Sequence, residues 1–322
     1  MSIHPLDLLD LPTLYRYRSE AISLDSARLL TRGNPLGAIG VMAYINPRRH
    51  IYSAVSREDS VTLAGGIIHT HGETFAKLLY LAPTSQMDNR ALPALIENLA
   101  MQAGTWGAFH VLAEVDELSP VFAPLRMAGF SVYAWQRIWD VTALAMGPSQ
   151  KDGGHADGGS ANGDARHKGQ RVESIQLPAV QNLYHQIVPP LLQPVEPAPK
   201  EPTGFICNEG VKAHVTVNTG MVGIVLFPLI HPEATDVSAS LASLIRLLPN
   251  RGGRPVYVCV RSYQAWLEPV LEDLGAKAAD RQAIMVKHLA RLIKEEQAVR
   301  ATQPAGATVQ PSRMSHMEDR KP

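Results

Sequence analysis

Two stretches of this sequence, about 146 positions apart, are built in the same order, and that repetition limits the folds open to the chain more than any other feature. The first block opens IHPLDLLDLPTLYRY and the second VESIQLPAVQNLYHQ, each with a Leu-Pro pair (Leu11-Pro12, Leu177-Pro178) ahead of a short helical stretch that ends in Leu-Tyr. Further on, GAFHVLAEV answers RPVYVCVRS, β-rich runs entered through a glycine-bearing turn. A helical stretch follows each, SPVFAPLRMAGF and AWLEPVLEDLGA. Both stop at a glycine, Gly129 and Gly275, 146 positions apart (275 − 129), which suits a left-handed helix C-terminus. Between the blocks, Gly147 to Arg171 holds seven glycines and no Val, Ile, Leu, Phe, Tyr or Trp. Such a segment cannot bury enough apolar surface to offset its ordering entropy. The expectation is a duplicated domain: one copy over 1–145, a flexible linker over 146–171, the second copy over 172–296, and a disordered tail over 297–322.

Composition removes several classes. Lys plus Arg and Asp plus Glu are both 30 in 322 residues, so no net charge favours coating a nucleic acid or an anionic membrane. The longest apolar run, Met221–Ile230, is half the length a spanning helix needs. The start, MSIHPLDLLDLP, has Asp7 and Asp10 and no basic opening, unlike a secretory signal. The two cysteines, Cys207 and Cys259, stand alone and fit a reducing compartment. A cytoplasmic protein is expected, with no nucleic-acid or membrane partner.

Within the first block, helical spacing covers Leu6–Arg18 and Leu24–Thr31. Strands are predicted at Ala38–Ile45, His50–Ser56, Ser60–Thr70 and Phe75–Leu81, with Gly65-Gly66 marking a bulge or close backbone approach. After the polar stretch APTSQMDNR, Leu92, Leu95, Ile96 and Leu99 form one helical face with Pro93 in its first turn. Strand Phe109–Val115, helix Pro120–Ala128 and strand Ser131–Val141 follow. The fold class is therefore α/β in the sense of a mixed sheet with helices packed on it.

This order resembles the GCN5-related N-acetyltransferase superfamily in both blocks, as two tandem acyl-CoA N-acyltransferase-like domains. The most specific resemblance lies between the fourth strand and its helix. The family has Pro, then Arg or Gln, Gly, and Gly or Ala ahead of a helical Leu; here stand Pro83, Gln86, Asn89, Ala91 and Leu92, with Asn89 in place of the glycine. The resemblance implies acetyl-CoA as cosubstrate, its pyrophosphate held by backbone N–H groups at a helix N-terminus. The expected cofactor residues are Leu81, Ala82, Pro83, Gln86, Met87, Asp88, Asn89, Arg90 and Ala91, with the pantetheine arm lying along Leu81–Pro83 as an added strand. In the second block Pro232 and Leu241 keep the spacing. The Arg/Gln is lost there, and Glu233 and Asp236 bring negative charge near Thr235, Ser238 and Ser240, so that copy is expected to be degenerate.

The catalytic residues are unknown from sequence. Where family members carry a helical Tyr and Asn, this chain has Leu125 and Leu118, and in the second block Leu271 and Gln264. Tyr133 is a possible substitute acid or a sheet aromatic. Glu73, His69, His71 and Glu114 are the base candidates. Without cysteine partners, His69 and His71 are not expected to bind metal. Trp135 and Trp139 share a strand face and are expected to pack there, and the run Pro189–Pro202 is expected to be irregular, a loop over a cleft or an insertion. The implied activity is transfer of an acetyl group from acetyl-CoA to a small-molecule or peptide amine. The alternative is a non-catalytic tandem protein that binds coenzyme A or a partner without turnover. Neither the acceptor nor the oligomeric state is legible.

Overall fold

A computed structural model describes residues 2–7, 10–37, 49–58, 61–146, 170–171, 176–200, 204–206 and 211–289. The strand expected at Ala38–Ile45, nearly all of the linker (147–169), the tail and Cys207 lie outside them. The strands, in chain order, are β1 (Ser2–Pro5), β2 (Ile22–Ser23), β3 (Arg49–Glu58), β4 (Val61–Thr70), β5 (Phe75–Ala82), β6 (His110–Asp116), β7 (Ser131–Asp140), β8 (Gln170–Arg171), β9 (Phe205–Ile206), β10 (Ala213–Thr219), β11 (Ile224–Ile230), β12 (Val256–Arg261) and β13 (Lys277–His288). The helices are α1 (Leu11–Tyr17), α2 (Ser26–Arg32), α3 (Leu92–Thr105), α4 (Phe122–Met127), α5 (Thr142–Met146), α6 (Leu177–Ile187), α7 (Val237–Arg246) and α8 (Leu267–Asp273).

All thirteen strands belong to one sheet, in the order β1-β3-β4-β5-β6-β13-β7-β12-β11-β10-β9-β8, with β2 added on β5. The two halves repeat each other. In the first, β3, β4 and β5 are antiparallel, α3 crosses to a parallel β6, and α4 leads to β7. In the second, β9, β10 and β11 are antiparallel, α7 crosses to a parallel β12, and α8 leads to β13.

The centre of the sheet is an exchange. β13, the last strand of the second half, pairs with β6 of the first, and β7, the last strand of the first half, pairs with β12 of the second. β7 and β13 then pair antiparallel with each other, Gln136 opposite Gln282. Those two glutamines are 146 positions apart and bond through Gln136 Nε2 to Gln282 Oε1 at 2.8 Å. Both halves lie in one compact unit, Met1–Ala290.

Local sequence explains the elements. α3 buries Leu92, Leu95, Ile96, Leu99, Ala100 and Ala103, the i, i+3, i+4 stripe that seats it on β3–β5. α4 and α8 end alike: Gly129 and Gly275 have φ of 84° and 80°, and Phe130 N–H and Ala276 N–H donate back to Leu125 and Leu271 carbonyls at 3.0 Å. The bulge falls between Gly66 and Ile67, where the Tyr80 ring lies over Gly66 and leaves no room for a Cβ. Leu6–Arg18 is not one helix. Asp7 and Asp10 each accept the other's backbone N–H at 3.2 and 3.1 Å, making a turn, and the helix begins only at Leu11 with Pro12 in its first turn. Trp139 is buried in the second half's core, whereas Trp135 carries the Arg281 guanidinium 4.0 Å above its ring.

The exchange makes each half dependent on the other. Expressed alone, residues 1–146 are expected to bind a hydrophobic dye and to melt without a cooperative transition. Co-expressed with 170–290 they are expected to copurify and melt sharply. A sharp melt of either half alone would contradict the exchanged sheet.

Candidate functional site

Where a parallel strand pair diverges, its inner edges offer unpaired backbone groups. In the first half β5 and β6 pair only from Phe75 to Lys77, and beyond that they part. The opening is not vacant. β2 enters it antiparallel to β5, Ile22 opposite Leu81 and Ser23 opposite Tyr80. Leu24 N–H then donates to Leu79 O at 3.0 Å, and Glu114 N–H donates to Leu24 O at 2.9 Å, so the chain bridges both inner edges. Leu24 itself is 1% exposed. Upstream, Glu20 O accepts from Thr84 N–H at 2.8 Å and its carboxylate accepts from Ser85 Oγ at 3.2 Å.

The turn before α3 is closed in the same way. Gln86 N–H bonds Pro83 O, Asn89 N–H bonds Gln86 O, Leu92 N–H bonds Asn89 O, and Ala91 N–H bonds the Asn89 side chain at 2.8 Å. Pro93 has no N–H. Met87 and Ala91 are buried, while Asp88 and Arg90 are exposed. The edge Leu81–Pro83, expected from sequence to carry a pantetheine arm, is thus taken by residues 20–24, and of the loop amides expected to face a pyrophosphate those of Gln86, Asn89 and Ala91 already have acceptors.

The second half differs. β11 and β12 pair from Ile224 to Leu226 and then part. Here a single side chain fills the edge: the Gln264 carboxamide, 1% exposed, accepts from Ile230 N–H at 2.8 Å and donates to Pro228 O at 2.9 Å. Before α7, Asp236 takes the left-handed conformation (φ 54°) and gives no side-chain cap. The first-turn amides of Val237, Ser238 and Ala239 have no hydrogen-bond acceptor among the described residues, as an uncapped helix start leaves them. Glu233 is turned to solvent and paired with Lys212 at 3.5 Å.

Leu24, the start of β5, β6 and the parted ends of β11 and β12 wall one cavity of about 240 Å³. Its polar lining is continuous across the two halves. Lys77 Nζ lies 3.5 Å from Asp25 and 3.8 Å from Glu114. Glu114 Oε2 accepts from Ser26 N–H at 2.9 Å and from Gln136 Nε2 at 3.2 Å. Gln136 Oε1 accepts from Arg261 and from the Cys259 thiol, and Arg261 Nε lies 2.9 Å from Glu196 Oε1. Glu196 also accepts from Tyr263 at 2.7 Å and Tyr133 at 3.4 Å. Glu196 comes from the proline-rich run, which here is a loop that covers the cavity with Val195, Pro197 and Pro199.

Burial sets the titration of these groups. It pushes the Glu114 carboxyl up, but Lys77, Arg261 and the two hydrogen bonds outweigh it, so Glu114 is held below the ordinary carboxylate value. Burial pushes the Cys259 thiol to about 12 and Tyr133 and Tyr263 well up, so all three stay protonated at neutral pH. Of the four base candidates only Glu114 reaches the cavity. Glu73 pairs with Lys200 at 3.2 Å, His69 bonds Glu73 O and stacks beside His50 and Trp106, and His71 is exposed at a turn. Among the described residues no group of three His, Cys, Asp or Glu side chains is placed to hold a metal, and no helix is long and apolar enough to cross a membrane. Sequence reasoning missed Lys77, Glu196, Arg261 and Tyr263. Arg261, Tyr263 and Glu196 find partners across the exchange or in an irregular run, and Lys77 finds Asp25 and Glu114 far off in the sequence, where no periodicity marks them.

Glu114 gives a signed pH dependence. Its folded value is lowered, so its stabilisation is whole above about pH 4.5 and is lost as pH falls through the folded value. Glu114→Gln is expected to lower stability at pH 7 by less than the ~3–5 kcal/mol of a fully buried pair, because Lys77 is 30% exposed. It should also flatten the decline between pH 5 and 3. Denaturant melts across that range check this; parallel curves for variant and parent would contradict it.

No protein-family model matches the sequence, and no curated protein matches it. Among solved structures the chain is similar to a GCN5-related N-acetyltransferase from Sphaerobacter thermophilus, with a TM-score of 0.50 and 11% identity over 89% of this chain and 95% of that one. A tandem GNAT protein from the clavulanic acid biosynthesis pathway, without AcCoA, follows at TM-score 0.49 and 14% identity over 90% and 99%. A GNAT-family acetyltransferase from Colwellia psychrerythraea has TM-score 0.43 and 13% identity over 90% and 100%. Identities this low speak for the fold and leave the activity open.

Proposed function

The fold of this chain is that of the GCN5-related N-acetyltransferases, present in two tandem copies, and from that premise we propose acetyl transfer from acetyl-CoA to an amine, with the cofactor on the second half. The observation that carries this reading is the contrast between the two strand openings: the first is occupied by a chain segment, Ile22–Leu24, bonded to β5 and β6, whereas one side chain, Gln264, covers the second, beside an α7 start whose Val237, Ser238 and Ala239 N–H groups have no acceptor among the described residues. Three N–H groups at a helix start suit a pyrophosphate. From there the parted end of β11 leads to the cavity, which would hold the amine.

The chain's own residues supply position more than acid–base chemistry. Ile230 N–H and Pro228 O would bond the arm of the cofactor once Gln264 turns away. Proximity within the cavity lowers the barrier to attack on the thioester carbonyl. Tyr263, on the cavity wall, already donates to Glu196 and is held protonated by burial, so water is the acid assigned to the leaving thiolate. The amine gives its proton to water, because Glu114 and Glu196 are engaged with other donors. A second reading, binding without turnover, is favoured by the same saturated carboxylates and by Leu118 and Leu125 at the helix positions where relatives carry polar groups.

Acetyl-CoA at 100 times its dissociation constant is expected to stabilise the protein by about 2.7 kcal/mol. Ser238→Glu should abolish that shift and Arg90→Glu should leave it. Gln264→Ala should destabilise the free protein by ~1–3 kcal/mol through the unpaired Ile230 N–H, yet bind acetyl-CoA more tightly, since a competitor is gone. A shift lost in Arg90→Glu and kept in Ser238→Glu would move the cofactor to the first half and overturn the assignment. Thiol release with a panel of amines then separates transfer from binding alone.

A further inference from the structure

A second, larger cleft opens beside the cavity, about 740 Å³, between α2, the start of β3, the end of β4, the start of β5, and β10 of the other half. Arg28 and Arg32 stand on it four residues apart, on one face of α2, and Arg49 faces it from the first position of β3. All three are half-buried. The carboxylates of the lining are Asp25 and Glu73, and both have other work. Asp25 accepts the Arg28 backbone N–H at 3.2 Å and faces Lys77 at 3.5 Å, while Glu73 pairs with Lys200 at 3.2 Å. Arg32 and Arg49 form no ion pair with any described carboxylate. Their charges act against each other: burial and then the Arg32 charge lower the Arg49 value, against a smaller pull from Asp25. Asn218 and Thr219 add neutral hydrogen-bonding groups on the far wall. Phe75 and Lys77 line both spaces, so the cleft adjoins the cavity.

Two guanidinium groups that face each other with no ion pair, as Arg32 and Arg49 do, are costly until an anion joins them, and their planar forks suit a carboxylate or phosphate. We infer that this cleft binds an anionic group, a carboxylate or a phosphate, of a small molecule that reaches into the cavity. On the acyl-transfer reading above, that molecule is the acceptor, an amine carrying an acidic group at its other end. The anion site itself stands without that reading, because its occupant needs no acetyl-CoA.

The test is therefore made without the cofactor. Calorimetric titration of the full chain with inorganic phosphate and with succinate, at constant ionic strength in chloride, is expected to show saturable binding of at least one. Phosphate alone points to a phosphorylated acceptor and succinate alone to an amino-acid or peptide acceptor. The pair Arg32→Gln with Arg49→Gln should weaken binding at least tenfold, and the Lys versions should retain part of it. In anion-free buffer Arg49→Gln should melt at the same temperature as the parent or higher, because a repulsion is relieved. Binding no stronger than chloride, an unchanged affinity in the double Gln variant, or a lower melting temperature for Arg49→Gln would each overturn the inference. Loss of acetyl-CoA binding with anion binding intact would sink the transferase reading and leave this site standing.

Discussion

The exchange of β7 and β13 is the constraint on which the remaining features depend. Each of these strands completes the ladder of the half that did not supply it, so neither half has a closed set of backbone hydrogen bonds by itself. The exchange also brings Glu114 of β6, Gln136 of β7 and Arg261 of β12 into one bonded chain. Buried charges persist only when they are paired and their remaining bonds are satisfied. Lys77 pairs with Asp25 and Glu114 inside the first half and Arg261 with Glu196 inside the second, and the bonds of Gln136 to Arg261 and of Tyr133 to Glu196 join the two pairs across the shared sheet. The cavity is thus a product of the duplication and belongs to neither copy.

The copies have diverged at the place where their strands part. In the first, a chain segment forms ladder bonds with β5, reaches β6 through Leu24, and buries Leu24 completely. Removing it would break several backbone bonds and expose a leucine, a cost of several kcal/mol. In the second, one carboxamide covers the same edge, and a rotation about side-chain bonds withdraws it at the cost of two hydrogen bonds. A ligand that competes for such an edge meets a far smaller barrier in the second half. The acidic residues that made this half look degenerate in the sequence weigh less than their number suggests, since Glu233 faces solvent beside Lys212.

Much of the fold was legible. The repeat, the strand boundaries from His50 to Val141 and the glycine helix ends follow from periodicity and from the φ that Gly129 and Gly275 must adopt. The exchange was not, because β7 and β13 have the same apolar pattern whichever β-strand lies beside them. The long helix expected from Leu6 broke at a turn that Asp7 and Asp10 make with each other, which outweighs the apolar spacing. The candidate site was legible only at Glu114 and Tyr133. Ile22–Leu24 is too short to show a period, and Glu196 sits in a proline-rich run whose value comes from partners far away in sequence.

The first half is closed by its own chain, and the second by a single side chain that can turn away. Amide hydrogen exchange with and without acetyl-CoA tests it most directly. Strong protection of the Leu24 and Glu114 amides is expected in both states, with new protection on adding acetyl-CoA confined to Val237–Ala239. Faster exchange at Ile22–Leu24 together with new protection at Gln86–Ala91 would contradict it.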